Sequence, residues 1–444
     1  MPVTRWFADA AWLGGDTAAT DVLIEAADGR ITAVVPGAEQ PADAEHLRGL
    51  VLPGLANVHS HAFHRALRGR THRGDGTFWT WRDDMYALAA VLTPDTYRDL
   101  ARAVFAEMVL AGVTAVGEFH YLHHAPGGRP YADPNAMGEA LLDAAAEAGI
   151  RITLLDTCYL RGGFDRPLEG PQRRFGDGDA DAWGERVSAL RPSGDARVGA
   201  AVHSVRAVPP EQLGTVAGWA EARRAPLHVH LSEQRAENEA CLAATGRTPA
   251  TLLAEAGVLG ANTTAVHATH PTDDDVALLG GSRTTVCFCP TTERDLADGI
   301  GPARALADAG APLALGSDSN AVIDLLEEAR GMELDERLAS ERRGRFRTAE
   351  LLEAASAGGH AALGRQGGGR IAQGAPADLV AVALDSVRLA GARPETVLES
   401  AVFAATAADV HAVVIGGRRL VAEGRHTTID VPRALTAAIE AVLP

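Results

Sequence analysis

From Val51 onward the chain alternates two hydrophobic patterns. Short, nearly continuous apolar runs are each about one strand long: "LANVHSHAF", "TAVGEFHY", "RITLLDTCY", "RVGAAVHSV", "APLHVHLSE", "TTAVHATH", "TTVCFCP" and "APLALGSDS". Between them lie alanine-rich segments such as "YRDLARAVFAEMVLAG" and "NAMGEALLDAAAEAG". In these the apolar residues recur at helical spacing and a glycine closes the segment. Eight such units predict an α/β fold, a (β/α)8 barrel of the TIM type. The polar residues gather at the C-terminal end of the runs, where barrel enzymes place their chemistry.

The flanks follow another pattern. "DVLIEAADGRITAVVPG" before Val51 reads as strands joined by Asp-Gly turns, and so do "GGGRIAQGAPADLVAVAL" and "VHAVVIGGRRLVAEGRH" after Arg365. The expected division is a catalytic barrel over 51–365 and a small β-sandwich built from both chain ends, 1–50 and 366–444. The arginine-rich "ERRGRFRT" at 341–348 is expected to be a solvated helix end or loop.

Composition narrows the function. A formal net charge of −17 over 444 residues argues against nucleic acid or an anionic membrane surface as partner. The first residues, "MPVTRWFADAAWLGGD", carry charges too early for a signal-peptide core, and no apolar run is long enough to span a bilayer. Four cysteines do not make a disulfide framework in a chain of this length, so a reducing cytoplasm is expected. There is no lysine; all 41 basic residues are arginine. That excludes a Schiff-base lysine, a Walker lysine and a carbamylated lysine bridging two metals.

The candidate chemistry starts at "VLPGLANVHSHAFHRALRGR". Alternate side chains of a strand point the same way, so His59 and His61 share a face. His230 ends the fifth run, His267 the sixth and Asp318 the eighth. Imidazoles and a carboxylate suit one divalent metal ion, zinc above all, with a position left for water. Glu233, three residues after His230, is placed to carry a proton from that water to a departing amine. Taken singly, each histidine has a plainer reading as a hydrogen-bonded structural group, and Asp318 as a turn cap. The joint arrangement at strand ends, in barrel order, sets them apart. Cys287 and Cys289 read as small apolar fillers, and His228 as packing deeper on the strand of His230.

In "PGLANVHSHAF", "HVHLSE", "VHATH" and "GSDS" the chain resembles the amidohydrolase superfamily, in its mononuclear-zinc deaminase branch. "GRIAQGAPADLVAV" is similar to the segment that returns such chains to their β-sandwich. "FWTWRDDMY", "EFHYLHH", "YADP", "HSVRAV" and "CPTTERDLADGI" are similar to the members that deiminate N-formimino-L-glutamate in histidine degradation.

The resemblance implies that His59, His61, His230 and Asp318 hold the zinc, with Asp318 also taking a proton from the attacking water. It makes Glu233 the proton shuttle and His267 the group that polarises the water and the reacting carbon. Arg82 and Arg206 become carboxylate clamps, with Tyr121, His203 and His64 in the substrate pocket. Two positions depart from the pattern: His64 stands where some relatives have glutamine, and Asn320 where histidine is frequent. The implied partner is a small dicarboxylate and the implied assembly a homodimer. The nearest rival is a deaminase or chlorohydrolase of a ring such as guanine, a triazine or an adenosine derivative. A non-catalytic barrel scaffold is the rival of another class, and it does not account for an intact Glu233 and ligand set.

Overall fold

The structure is a computed structural model that describes residues 3–72 and 76–443, apart from the side chains of Phe78 and Trp79. Four strands open the chain: β1 (Thr4–Ala11), β2 (Ala19–Ala27), β3 (Arg30–Val35) and β4 (Glu45–Pro53). Then come the barrel strands β5 (Leu55–Ser60), β6 (Val113–His120), β7 (Arg151–Cys158) and β8 (Arg197–Val202). These are followed by β9 (Leu227–Leu231), β10 (Thr263–His267), β11 (Thr285–Phe288) and β12 (Leu313–Leu315). The chain closes with β13 (Leu379–Val382), β14 (Val410–Ile415), β15 (Arg418–Ala422) and β16 (Arg425–His426).

Each of the eight apolar runs supplies one strand of a parallel sheet in sequential order, β5 to β12. The strands are buried along nearly their whole length, because helices cover the outside and packed side chains fill the inside. That is why the runs show no polar alternation. Helix α1 spans Phe78–Val91 and α2 spans Pro94–Leu110. α2 begins at a Thr93 cap with Pro94 in its first turn, and the following helix, Ala136–Ala148, stops at Gly149 in the left-handed region (φ +75°).

The barrel closes where its first and last strands meet. Ser60 and Asp318 form a parallel bridge; His61 N–H donates to Asp318 O at 3.0 Å, and Asp318 N–H to His59 O at 2.9 Å. Side chains lace the same seam. Asn57 Nδ2 donates to Ser317 Oγ at 2.6 Å, and Asn320 Nδ2 donates to Ser60 Oγ at 3.1 Å and to His61 O at 3.0 Å. Asn320 is therefore a buried strut between the strands. Gly316 lets them approach this closely: a Cβ there would sit 2.9 Å from the His59 Cβ.

The chain ends combine in one continuous eight-stranded sheet, β16-β15-β14-β13-β4-β1-β2-β3, which is the form the expected sandwich takes. β4 runs on to Pro53, across residue 50. Alternation along its strands divides two cores. Val380 and Val382 face the barrel's core, while Leu379 and Ala381 join Trp6, Ile24 and Val414 in a second one. The arginine-rich stretch 341–348 joins two helices, Leu325–Ser340 and Thr348–Ala355, and is mostly exposed. Among the described residues no helix is long and apolar enough to cross a membrane.

Candidate metal centre and its cleft

His59 lies on β5 and His61 just beyond it, His230 on β9, His267 at the end of β10 and Asp318 just past β12. All five converge. His59 Nε2 stands 3.1 Å from His230 Nε2 and 3.3 Å from Asp318 Oδ1, and His61 Nε2 stands 3.5 Å from the same oxygen. Ligand atoms of His59, His61 and His230 lie within 4.8 Å of one another, as do those of His59, His267 and Asp318.

Backbone carbonyls assign the tautomers. The Nδ1–H of His61 donates to Phe119 O and that of His230 to His203 O, both at 2.9 Å, so each Nε2 carries only a lone pair. Burial, with neighbouring imidazoles adding to it, holds His59, His61 and His230 well below the usual histidine range, so they are neutral. Bare nitrogens and a carboxylate aimed at one point repel one another unless a cation lies among them. The donor set therefore fits a divalent metal ion, and imidazole with carboxylate suits zinc.

The turns that aim these groups are strained. His267 has φ +71° and Asp318 φ +44°, a region that costs a residue bearing a Cβ about 1–3 kcal/mol. His267 Nδ1 donates to Glu293 Oε1 at 3.3 Å, while Nε2 faces Glu233 Oε1 at 3.9 Å and Asp318 Oδ2 at 3.8 Å. Burial opposes its charge, but Glu233, Glu293 and Asp318 outweigh that and raise it well above the usual range. Glu233 is pushed up to about 7 by burial, reinforced by Asp318 and Glu237 and opposed by His267 and Arg206. A carboxyl near neutrality can both take and give a proton.

These groups open into a cleft of about 600 Å³. Arg82, on α1, and Arg206, after β8, both line it with His64, Tyr121 and His203. Arg206 also stands 3.5 Å from Glu237, an ion pair that holds its guanidinium at the wall. His64 Nε2 lies 2.9 Å from Tyr121 Oη, and burial lowers its pKa to about 4, so it is a neutral partner for that hydroxyl. His203 packs edge-on against Tyr159. Of the "FWTWRDDMY" aromatics, Trp81 and Tyr86 line the cleft, and the Phe78 and Trp79 side chains lie outside the described residues.

The sequence alone does not single out Tyr159 and Phe175 in the lining, or Glu118 and Glu293 behind the donors. Glu118 accepts from Ala62 N–H at 2.7 Å, directly after the His-x-His, and burial pushes it up to about 8. The available signal for it is a carboxylate inside a short, mostly apolar run that folds as a fully buried strand. His228 is buried with Nε2 on Ala362 O, 3.1 Å away. The four cysteines are free and buried, and Cys287 and Cys289 sit in an apolar cluster.

A second histidine cluster lies on β6, β7 and the loops that follow. His120, His123 and His124 meet Asp156 and Asp177, with Arg186 bonded to both carboxylates at 2.8 Å. Its three histidines all come from the "EFHYLHH" stretch.

The Amidohydrolase family model matches residues 50–420. The chain is 38% identical over 416 residues to formimidoylglutamate deiminase of Pseudomonas aeruginosa, covering 90% of each chain. It is 32% identical over 434 residues to 8-oxoguanine deaminase of the same organism, covering 94% of this chain and 93% of that one. Among solved structures, an amidohydrolase from Brucella melitensis superposes with a TM-score of 0.92 at 34% identity, over 99% of this chain and 100% of that one.

Proposed function

This chain belongs to the amidohydrolase family and is a hydrolase acting on a C–N bond, and on that premise we propose that it deiminates N-formimino-L-glutamate to N-formyl-L-glutamate and ammonia. The observation that carries the reading is a pair of arginines, Arg82 and Arg206, in the same cleft as the histidine–aspartate donor set. In a protein of net charge −17, two guanidiniums beside one buried reaction centre fit a substrate with two carboxylates.

His59, His61, His230 and Asp318 would hold one zinc ion. When bound, the ion supplies Lewis acidity that brings the pKa of a water toward neutrality. Arg82 and Arg206 bind the carboxylates and so fix the imino carbon over the donor set. Asp318 and Glu233 take up the proton released as the water oxygen adds to that carbon. His267, held by Glu293, hydrogen-bonds at the reacting centre. Glu233 then gives that proton to the terminal nitrogen, and the second proton of the water, lost from the new hydroxyl, follows through Asp318 and Glu233 to the same nitrogen as the C–N bond breaks, so ammonia leaves while the formyl group stays on the glutamate nitrogen. Tyr121, Tyr159 and Phe175 wall the cleft and limit bulk water.

A heterocyclic amine is the second reading, favoured by that same aromatic lining and by the likeness to 8-oxoguanine deaminase. Ammonia release from N-formimino-L-glutamate and from guanine by the zinc-loaded enzyme separates the two. Turnover of the first alone supports the deiminase; turnover of guanine alone replaces it with the ring reading. Arg206→Gln is expected to raise KM for the dicarboxylate by about 10–100-fold with a smaller change in kcat, and to spare a neutral amide analogue. Equal effects on both substrates would remove Arg206 from carboxylate binding. A cytoplasmic homodimer belongs to the same proposal, and its mass in solution checks the assembly.

A further inference from the structure

At the opposite end of the barrel, under the terminal sheet, a cleft of about 880 Å³ gathers four arginines: Arg30, Arg151, Arg197 and Arg365. Arg151 and Arg197 start β7 and β8, whose far ends carry the catalytic face. At about 3.3 Å per residue, the two clefts lie roughly 20 Å apart along these strands.

The four guanidiniums are not equally compensated. Arg151 is neutralised: it bonds Asp378 through Nε at 2.8 Å and Nη2 at 3.0 Å, and it also pairs with Asp195. The other three have only carbonyl acceptors among the described residues. Arg30 Nη1 donates to Gly374 O at 2.8 Å, and Arg197 Nη1 to Gly364 O. Arg365 donates through Nη2 to Ile152 O and, at 2.9 Å, to Asp195 O.

Arg365 is the telling member. It is 7% exposed, and its Nε is buried with no acceptor among the described residues. Burial, with Arg197 and Arg151 nearby, depresses its guanidinium to about 9 against the pull of Asp378. A buried cation beside other cations, with one donor unmet, is a costly arrangement. An anion in the cleft offsets the charge of this guanidinium, though not the enclosed Nε. Asp28, Asp195 and Asp378 also line the cleft, but Asp195 and Asp378 are taken by Arg151, and among the described residues no carboxylate pairs with Arg30, Arg197 or Arg365.

We propose that this cleft binds a small phosphate-like oxyanion, held against Arg30, Arg197 and Arg365 at the junction of barrel and terminal sheet. Three cations arriving from a strand of the terminal sheet, a barrel strand and the turn after the helix Ala357–Ala362 suit a tetrahedral anion better than a single planar carboxylate. The bound anion ties the two parts of the chain together, so its effect is on stability.

The test is thermal unfolding of the metal-loaded, full-length enzyme with inorganic phosphate, against sodium chloride of equal ionic strength. About 20 mM phosphate is expected to raise the unfolding temperature by roughly 2 °C or more over chloride. Arg197→Gln, an exposed position, loses that rise, whereas Arg206→Gln in the catalytic cleft keeps it. Succinate forms a second arm, with a smaller rise expected. A rise that survives Arg197→Gln, one abolished by Arg206→Gln, one no larger than that of chloride, or a response to succinate alone would each overturn the assignment.

Discussion

Two buried histidine–carboxylate clusters share this barrel, and they differ in where their positive charge comes from. The first sets His59, His61, His230 and His267 around Asp318. The second sets His120, His123 and His124 around Asp156 and Asp177. Both draw on strand ends and the loops beyond, and both contain a triplet spaced for a metal. In the second, Arg186 lies between the carboxylates with hydrogen bonds of 2.8–3.0 Å to each, and Trp183 Nε1 donates to Asp156 at 3.0 Å. Burial alone would raise Asp156 and Asp177, but Arg186 and the histidines overcome it and hold both below the ordinary range. In the first, no arginine reaches Asp318 among the described residues; its ion-pair neighbours are histidines, two of them neutral. In one cluster a guanidinium bonds both carboxylates directly; in the other the charge-favoured His267 stands 3.8 Å off Asp318 and is shared with Glu233 and Glu293, while His59, His61 and His230 stay neutral and open to a cation. Residue types and burial do not separate them; charge balance does.

The largest effect should come from removing the receiver. His230→Ala is expected to lose the bound ion, measured by elemental analysis, and to cut turnover by more than about 10⁴-fold. His123→Ala, the matching change in the other cluster, should leave metal stoichiometry as it was; an ion lost in both would erase the distinction. Next in size, Glu233→Gln should keep the ion yet lower kcat by about 10²–10⁴-fold, because under the proposed mechanism it removes proton transfer and leaves the donor set intact.

Arg186→Met turns the comparison round. It strands two buried carboxylates, so denaturant unfolding should show a loss of about 3–5 kcal/mol while the folded fraction retains its metal. The smallest effect is a slope. Asp156 and Asp177 titrate lower when folded than unfolded, so they contribute stability above the unfolded pKa of about 3.9, and it is lost as pH falls below that value. Asp177→Asn should make the fall in stability below about pH 4 shallower than in the wild type. An unchanged slope would mean that the acid transition arises elsewhere.

Much of this was legible beforehand, and the reason is local. A barrel strand is a run buried on both faces, so its apolar stretch is continuous, and its donor residues fall where the run ends. His59, His230 and Asp318 could thus be placed on the first, fifth and eighth strands before any contact was known. What stayed hidden depends on pairs far apart in the chain. Glu293 is identifiable as the partner of His267 only once β10 and the helix Pro290–Asp295 are packed together. The histidines of "EFHYLHH" look as metal-ready as any others until Arg186, some sixty residues later, folds back onto Asp156. Asn320 is similar: its role as a strut toward Ser60 spans 260 residues.

The seam between β5 and β12 gives the chain an order of events. His59 and His61 are synthesised early, but the carboxylate that completes their set is Asp318, whose own N–H and C=O pair with the backbone of those two histidines. A ribosome must therefore deliver almost the whole barrel before the ion has a finished seat. The same backbone bonds that shut the cylinder thus bring the last carboxylate to its place beside the two histidines.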